Sequence, residues 1–215
     1  MTNEGTGRLI PIGMRKKIPE PNALVISTCS DNDLPTFGLP KRWSWANPTN
    51  TRYYHEFCGI TAVSTEALWQ GCKLIGGATE PDPEVLAGAW RKNKGRKPRG
   101  AWYGPNMTIT DPGEARRKIY IPAYVDQITS WLSWTIVRAH VNRALDHDGP
   151  VYLRDFDTGQ GIDSKGPMSH AWLLSLILEP LLEGRSIDHI VHPKLSQRFV
   201  IPPHVPTLTP PEEGR

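Results

Sequence analysis

The stretch Ser64-Thr65-Glu66-Ala67-Leu68-Trp69-Gln70-Gly71-Cys72-Lys73-Leu74-Ile75 constrains this chain more than any other. At about 100° per residue it sorts into two faces, as a helix does. Glu66, Gln70 and Lys73 fall at i, i+4 and i+7 and share one face. Leu68, Cys72 and Ile75 repeat that spacing on the opposite side, and Trp69 and Leu74 flank the polar stripe. Ser64 suits an N-cap, Glu66 suits the first turn beside the helix dipole, and Gly76-Gly77 stops the helix. An ordinary surface helix puts small or charged residues beside its polar face. Here an acid, an amide and an amine are bordered by Trp and Leu. Two readings follow: a polar stripe turned into a pocket, or a solvated side-chain network worth about a few tenths of a kcal/mol.

The flanking chain is punctuated by proline. Residues 1–22 read as an extended lead-in, with Pro11, Pro19 and Pro21 blocking regular structure. Ala23–Thr28 reads as a short buried strand, followed by turn chemistry at Ser30-Asp31-Asn32-Asp33. Residues 34–60 are irregular and aromatic, either a lid over a site or a packed embellishment. Asp82-Pro83-Glu84 and Asp111-Pro112-Gly113-Glu114 each open a helix, with Asp as cap and Pro at the first position. Pro122 is expected to kink or break the second of these. From Ala123 to about Leu145 apolar residues recur near helical spacing, which predicts a long core helix. Val151–Asp157 alternates like a strand and enters a Gly-bearing loop, Thr158 to Gly166. Ser169 caps a helix that is apolar nearly all round and therefore buried. Residues 186–215 read as a C-terminal extension. The coarse expectation is one domain, mainly helical, with a few short strands and long ordered loops.

At 215 residues the chain can bury a sizeable core without staples. Its three cysteines form no C-x-x-C pair, which points away from a disulfide framework or zinc site and towards a reducing, cytoplasmic compartment. The apolar runs are too short for a membrane span. Charge is uneven. Arg91, Lys92, Lys94, Arg96, Lys97 and Arg99 lie within nine residues with no acid among them. Against a net charge of +3, these six leave the rest of the chain at −3. A local basic patch suits a polyanionic partner, DNA or RNA included; a solvated loop is the plainer reading.

No Walker A pattern, dinucleotide fingerprint, H-E-x-x-H or G-x-S-x-G is present, and no metal or cofactor is expected. His189 and His192 are three apart in an irregular segment and make a poor metal site. His170, beside a buried helix start, reads as a core or capping histidine. Asp155 and Asp157 flank Phe156 and on a strand would point the same way, as an acid/base or ribose-binding pair or as turn and surface residues. Lys73 stands out. A lysine among apolar residues loses its proton readily and becomes nucleophilic towards a masked aldehyde such as an open-chain ribose. Glu66, on the same face, is placed to hold or exchange the proton.

Ser64-Thr65-Glu66, Trp69-Gln70 and Lys73 together resemble the S/T-E-x-x-aromatic-Q-x-x-K helix of the NADAR (YbiA-like) family. Leu24–Asp31 with Phe37 following is similar to that family's short strand, Ser/Asp turn and Phe. Val151–Asp157, the Gly-bearing loop and Ala171–Leu182 are similar in order to its closing section. Leu153-Arg154-Asp155-Phe156-Asp157 departs from the family's closing motif. The resemblance implies an α+β, mainly α catalytic domain over residues 23–185, and cleavage of an N-glycosidic bond. The family's substrates include ADP-ribosylated guanine and phosphoribosylated pyrimidines, and its chemistry uses a lysine Schiff base with the opened ribose. Carried over by position, Lys73 is the nucleophile, with Glu66 and Gln70 as partners and Asp155 or Asp157 as a second acid/base. Trp69, Ser27, Ser30 and Phe37 would line the substrate site. Arg116 and Arg117 would meet phosphate, the 91–99 segment would meet nucleic acid, and Trp43, Trp45 and Trp102 would stack a base. Two other functions fit the same features: a transferase modifying DNA bases, and a non-catalytic nucleic-acid or nucleotide-binding module.

Overall fold

The computed structural model describes residues 9–20, 23–28, 48, 55–89, 97–132, 150–159, 161–164, 166–183 and 185. Strand β1 spans Leu9–Gly13, and β2 spans Leu24–Ser27. The hairpin β3 (His55–Phe57) and β4 (Ile60–Ala62) leads into helix α1, Thr65–Gly71. Strand β5 (Lys73–Leu74) follows at once, then the one-turn helix α2, Pro83–Leu86. Strands β6 (Gly100–Trp102) and β7 (Thr108–Ile109) precede helix α3, Pro112–Ala115. A wide π-helical turn over Arg116–Tyr120 joins α3 to helix α4, Ile121–Leu132. Strand β8 is Val151–Asp155, and helix α5 is His170–Leu182.

The described residues form a mixed α+β fold, which corrects the expectation of a mainly helical one. β1, β8 and β2 make a parallel sheet with β8 central, β3 pairs with β4, and β5, β6 and β7 make an antiparallel sheet. The reading of residues 1–22 as a lead-in without regular structure misses β1. Leu9–Gly13 pairs in register with Val151–Asp155 at the edge of the parallel sheet. An edge strand tolerates Pro11, because one row of its N–H groups needs no partner.

Two apolar cores result. Tyr124, Ile128, Leu153, Leu173, Leu174 and Ile177 are fully buried where α4 and α5 meet the parallel sheet. Leu68, Cys72, Leu74 and Ile119 are fully buried where α1 meets the antiparallel sheet and the wide turn. Trp69 packs against both.

The helix-start signals hold at close range. Ser64 Oγ accepts from Ala67 N at 3.0 Å, Asp82 Oδ1 from Glu84 N at 3.1 Å, and Asp111 Oδ1 from Glu114 N at 2.6 Å. The helix after Asp82 is only one turn long and stops short of Ala89. Pro122 neither breaks nor ends its helix. The chain enters it through the π-turn, where the Ile121 N–H reaches back to the Arg116 carbonyl. Pro122 thus falls in the first turn of α4, where a missing N–H costs little. The long helix predicted to Leu145 is described as far as Leu132; its remainder lies outside the described residues.

α1 also departs from prediction. It ends at Gly71, so Lys73 and Leu74 are strand residues. The cause is capture of carbonyls by distant chain. Gly71 O accepts from Asp82 N at 3.0 Å, Cys72 O from Trp102 N at 2.8 Å, and Leu74 O from Arg99 N at 2.8 Å. Gly71 also permits the α2 contact, since a Cβ there would lie 2.5 Å from Leu86 Cδ2.

Candidate active site

The polar face of α1 survives its early end. Gln70 Nε2 donates to Glu66 Oε1 at 2.5 Å, one helical turn away. Lys73 Nζ donates to Gln70 Oε1 at 2.8 Å, reaching back from β5. The amine also sits over the Trp69 ring, 4.8 Å from its centroid. Among the described residues, Lys73 therefore contacts an amide oxygen and a π face but no carboxylate. Burial pushes its amine below the usual lysine range; nearby Glu66 opposes that shift and nearby Arg116 adds to it.

Glu66 is 8% exposed. Among the described residues its Oε2 has no hydrogen-bond partner, and neither does the buried Tyr120 hydroxyl. Tyr120 closes the cluster from the wide turn, its ring 5.6 Å from Trp69, 6.0 Å from Tyr124 and 5.9 Å from His170. Burial, then the charges of Glu66, Tyr124 and Asp155, push the Tyr120 phenol well above its ordinary value, so it keeps its proton at neutral pH. Leaving such groups unmet is costly, which marks this cluster as the candidate site.

Asp155 and Asp157 part company. β8 ends at Asp155, which is 2% exposed. Its Oδ2 accepts from Ser169 Oγ at 3.0 Å, His170 N at 2.5 Å and Ala171 N at 3.2 Å, and its Oδ1 from Phe156 N at 2.7 Å. This carboxylate is the anion that fixes the N-terminus of α5 to the sheet. Ser169 caps the same helix, its Oγ accepting from Trp172 N at 3.2 Å. Of the expected pair, only Asp155 lies on the strand; Asp157 is exposed in the loop that follows, still within reach of the charge of Asp155. Its carboxyl is pushed up by partial burial and by Asp155, less by Glu66, with His170 opposing.

Several other expectations change. Arg116 is buried and donates to three loop carbonyls, Ile162, Ser164 and Gly166, each at 2.6 Å. Arg117 makes a two-pronged pair with Asp163, its Nη2 2.5 Å from Oδ2. Both arginines bind the 161–166 loop; buried Arg116 has its donors committed there, against its assignment to phosphate, whereas Arg117 remains exposed. Trp102 is 4% exposed and packs edge-on to Phe57 at 6.5 Å, so it offers no face to a base. Ser27 is fully buried in β2, in register with Arg154, and lines no open surface. Arg99 donates to Ala78 O at 3.0 Å from an exposed position, and Lys97 is exposed. Ser30, Phe37, Trp43, Trp45, Arg91, Lys92, Lys94 and Arg96 lie outside the described residues.

Two site residues escaped the sequence reading. His170 places its ring between Asp155 and Glu66, where the residue before a buried helix looks like a mere cap. Tyr120 sits in a run of cations, Arg116-Arg117-Lys118-Ile119-Tyr120, and its only signal is the i,i+4 spacing to Tyr124. Among the described residues no three His, Cys, Asp or Glu side chains gather as metal ligands, and no helix is long and apolar enough to cross a membrane. In comparisons with known proteins, no family model matches the chain, and neither does any curated protein or solved structure.

Proposed function

We propose that this protein cleaves an N-glycosidic bond to ribose in an ADP-ribosylated nucleotide or nucleic-acid base, with Lys73 as nucleophile. One observation carries the reading. The Lys73 amine is desolvated over Trp69 and tied to the Gln70 amide rather than to Glu66. A carboxylate in direct contact would hold the lysine as ammonium, with no lone pair to offer. Gln70 stands between the two charges, accepting from the amine and donating to the acid. It keeps Glu66 close enough to move protons while leaving the amine free to attack.

The chemistry divides into two halves. In the first, a proton from Glu66 goes to the ribose ring oxygen as the ring opens to an iminium at C1′. Lys73 Nζ adds to C1′ and passes a proton to the base nitrogen. The C1′–N bond to the base then breaks, leaving a protonated Schiff base on Lys73. In the second half water adds to C1′, the carbon–lysine bond breaks, and one proton returns to the enzyme. Base and open-chain ribose leave, and Lys73 is again an amine. The test is borohydride trapping on an ADP-ribosylated guanosine oligonucleotide. An adduct mapping to Lys73, lost in Lys73→Ala together with base release, is the expected result. Full activity of Lys73→Ala without an adduct sinks the reading.

A further inference from the structure

The scheme above needs one proton delivered in its first half and recovered in its second. Glu66 is the acid beside the amine, yet it is poorly placed to exchange protons with water, its side chain being 11% exposed. Asp155 is more enclosed still, and its Oδ2 already accepts three donors. Tyr120 keeps its proton.

His170 has the missing property. Its Nδ1 lies 3.7 Å from Asp155 Oδ2 and its Nε2 lies 3.9 Å from Glu66 Oε2, while a quarter of the side chain meets solvent. The ring is held between Tyr120 at 5.9 Å and Tyr124 at 6.4 Å, and the charge of Asp157 also reaches it. Asp155 accepts the backbone N–H of His170 and also faces its ring, so the carboxylate that places the residue lies beside Nδ1. The oxygen that Nε2 faces is the same Glu66 Oε2 that has no hydrogen-bond partner among the described residues. At 3.9 Å this is not yet a hydrogen bond, but contacts of this kind tighten when substrate enters.

We propose that His170 is the proton carrier of this site, recharging Glu66 after the ring oxygen is protonated and taking back the proton released by the attacking water. The proposal rests on the Lys73 reading. The balance closes: imidazolium gives one proton to the Glu66 carboxylate and becomes neutral. In the second half Glu66 hands its proton to the neutral Nε2 as it takes the water-derived one, which restores both the acid and the imidazolium. No oxidant, reductant or further reactant is required. His170 acts through Glu66, with Asp155 beside Nδ1.

The experiment uses the full chain and two readouts. In single turnovers of the ADP-ribosylated guanosine oligonucleotide, His170→Gln is expected to slow base release at least about 100-fold, the lower range for a lost general acid–base group. It should also lose the pH-dependent limb of the wild-type rate profile, and added imidazole should restore His170→Ala at least about 10-fold. A His170→Gln protein with wild-type rate and profile overturns the proposal, while a Lys73 adduct in the same reaction leaves the nucleophile reading standing. If wild type forms no adduct, the nucleophile reading fails by itself. The proposal, which rests on that reading, then falls with it, whereas a wild-type adduct together with an unslowed His170→Gln overturns the proposal alone.

Discussion

Lys73 and Arg116 are neighbouring cations, close enough for Arg116 to help push the Lys73 amine down, yet they are treated in opposite ways. Arg116 spends its guanidinium on three loop carbonyls, with Asp163 and Asp111 nearby to balance its charge. Lys73 is given one amide oxygen and an aromatic face. The same division runs through the carboxylates. Asp155 accepts four donors, whereas Glu66 has one oxygen engaged and one without a partner among the described residues. Arg116 and Asp155, which hold the fold, are saturated; Lys73 and Glu66, at the α1–β5 corner, are held short of saturation. A buried polar group left unmet costs stability, so its persistence points to a ligand that completes it.

The largest expected effect lies on the unsaturated side. Lys73→Ala should lower base release on the order of 1000-fold or more, as loss of a covalent nucleophile does. Its stability in urea unfolding should stay within about 1 kcal/mol of wild type, because one amide contact and a cation–π contact are lost while a desolvation cost is relieved. Arg116→Ala is the opposite case. Three hydrogen bonds to loop carbonyls disappear, at about 1 kcal/mol each, so unfolding should come about 3 kcal/mol sooner. A loss under about 1 kcal/mol would break the comparison, since Arg116 would then be as loosely engaged as Lys73.

The signals that were legible act at short range. Ser64, Asp82, Asp111 and Ser169 cap helices within three residues of themselves, and each shows in the sequence. The Glu66–Gln70–Lys73 alignment was legible too, although for a partly wrong reason: Lys73 reaches Gln70 from a strand rather than from the helix. What stayed hidden depends on distant chain. α1 ends where it does because Asp82, Arg99 and Trp102 take its last carbonyls and those of β5. Pro11 sits in a strand because β8, far along the chain, offers it an edge. Asp155 is a helix anchor because β8 delivers it to the start of α5. Arg116 looked like a phosphate ligand because nothing local reveals that the loop from Ile162 to Gly166 returns to it.

His55 extends the comparison to a histidine that burial keeps neutral. Its Nε2 lies 2.8 Å from Thr65 Oγ1, and that hydroxyl donates onward to Gln127 Oε1 at 2.7 Å. Thr65 can therefore only accept from the ring, which sets an Nε2–H imidazole. Burial pushes the His55 value down to about 3. The unfolded chain, near the ordinary 6.5, binds the proton first, so stability is complete above that value and is lost as pH falls from there towards 3. The slope is about 1.4 kcal/mol per pH unit, or about 2 kcal/mol by pH 5. Urea unfolding at pH 7 and pH 5 should show that loss in wild type and a clearly smaller one in His55→Gln. Equal losses in the two proteins would place the acid sensitivity elsewhere.

The smallest effect separates the two aspartates that the sequence pairs. Asp157 is exposed, and partial burial together with Asp155 pushes its carboxyl up. A raised acid binds its proton more tightly in the folded state, so ionisation above that range works against folding. Asp157→Asn should then gain stability at neutral pH, by less than about 0.5 kcal/mol once solvent screening is counted, and should gain nothing at pH 3. Asp155→Asn reverses the sign. The amide presents one acceptor oxygen in place of two, so at least one of the four donors around it faces an NH2 group and loses its partner. Paired unfolding curves of the two variants at both pH values test this. A destabilised Asp157→Asn at neutral pH would show its carboxylate to be part of the anchor, and the contrast between a saturated and an idle acid at the end of β8 would fall with it.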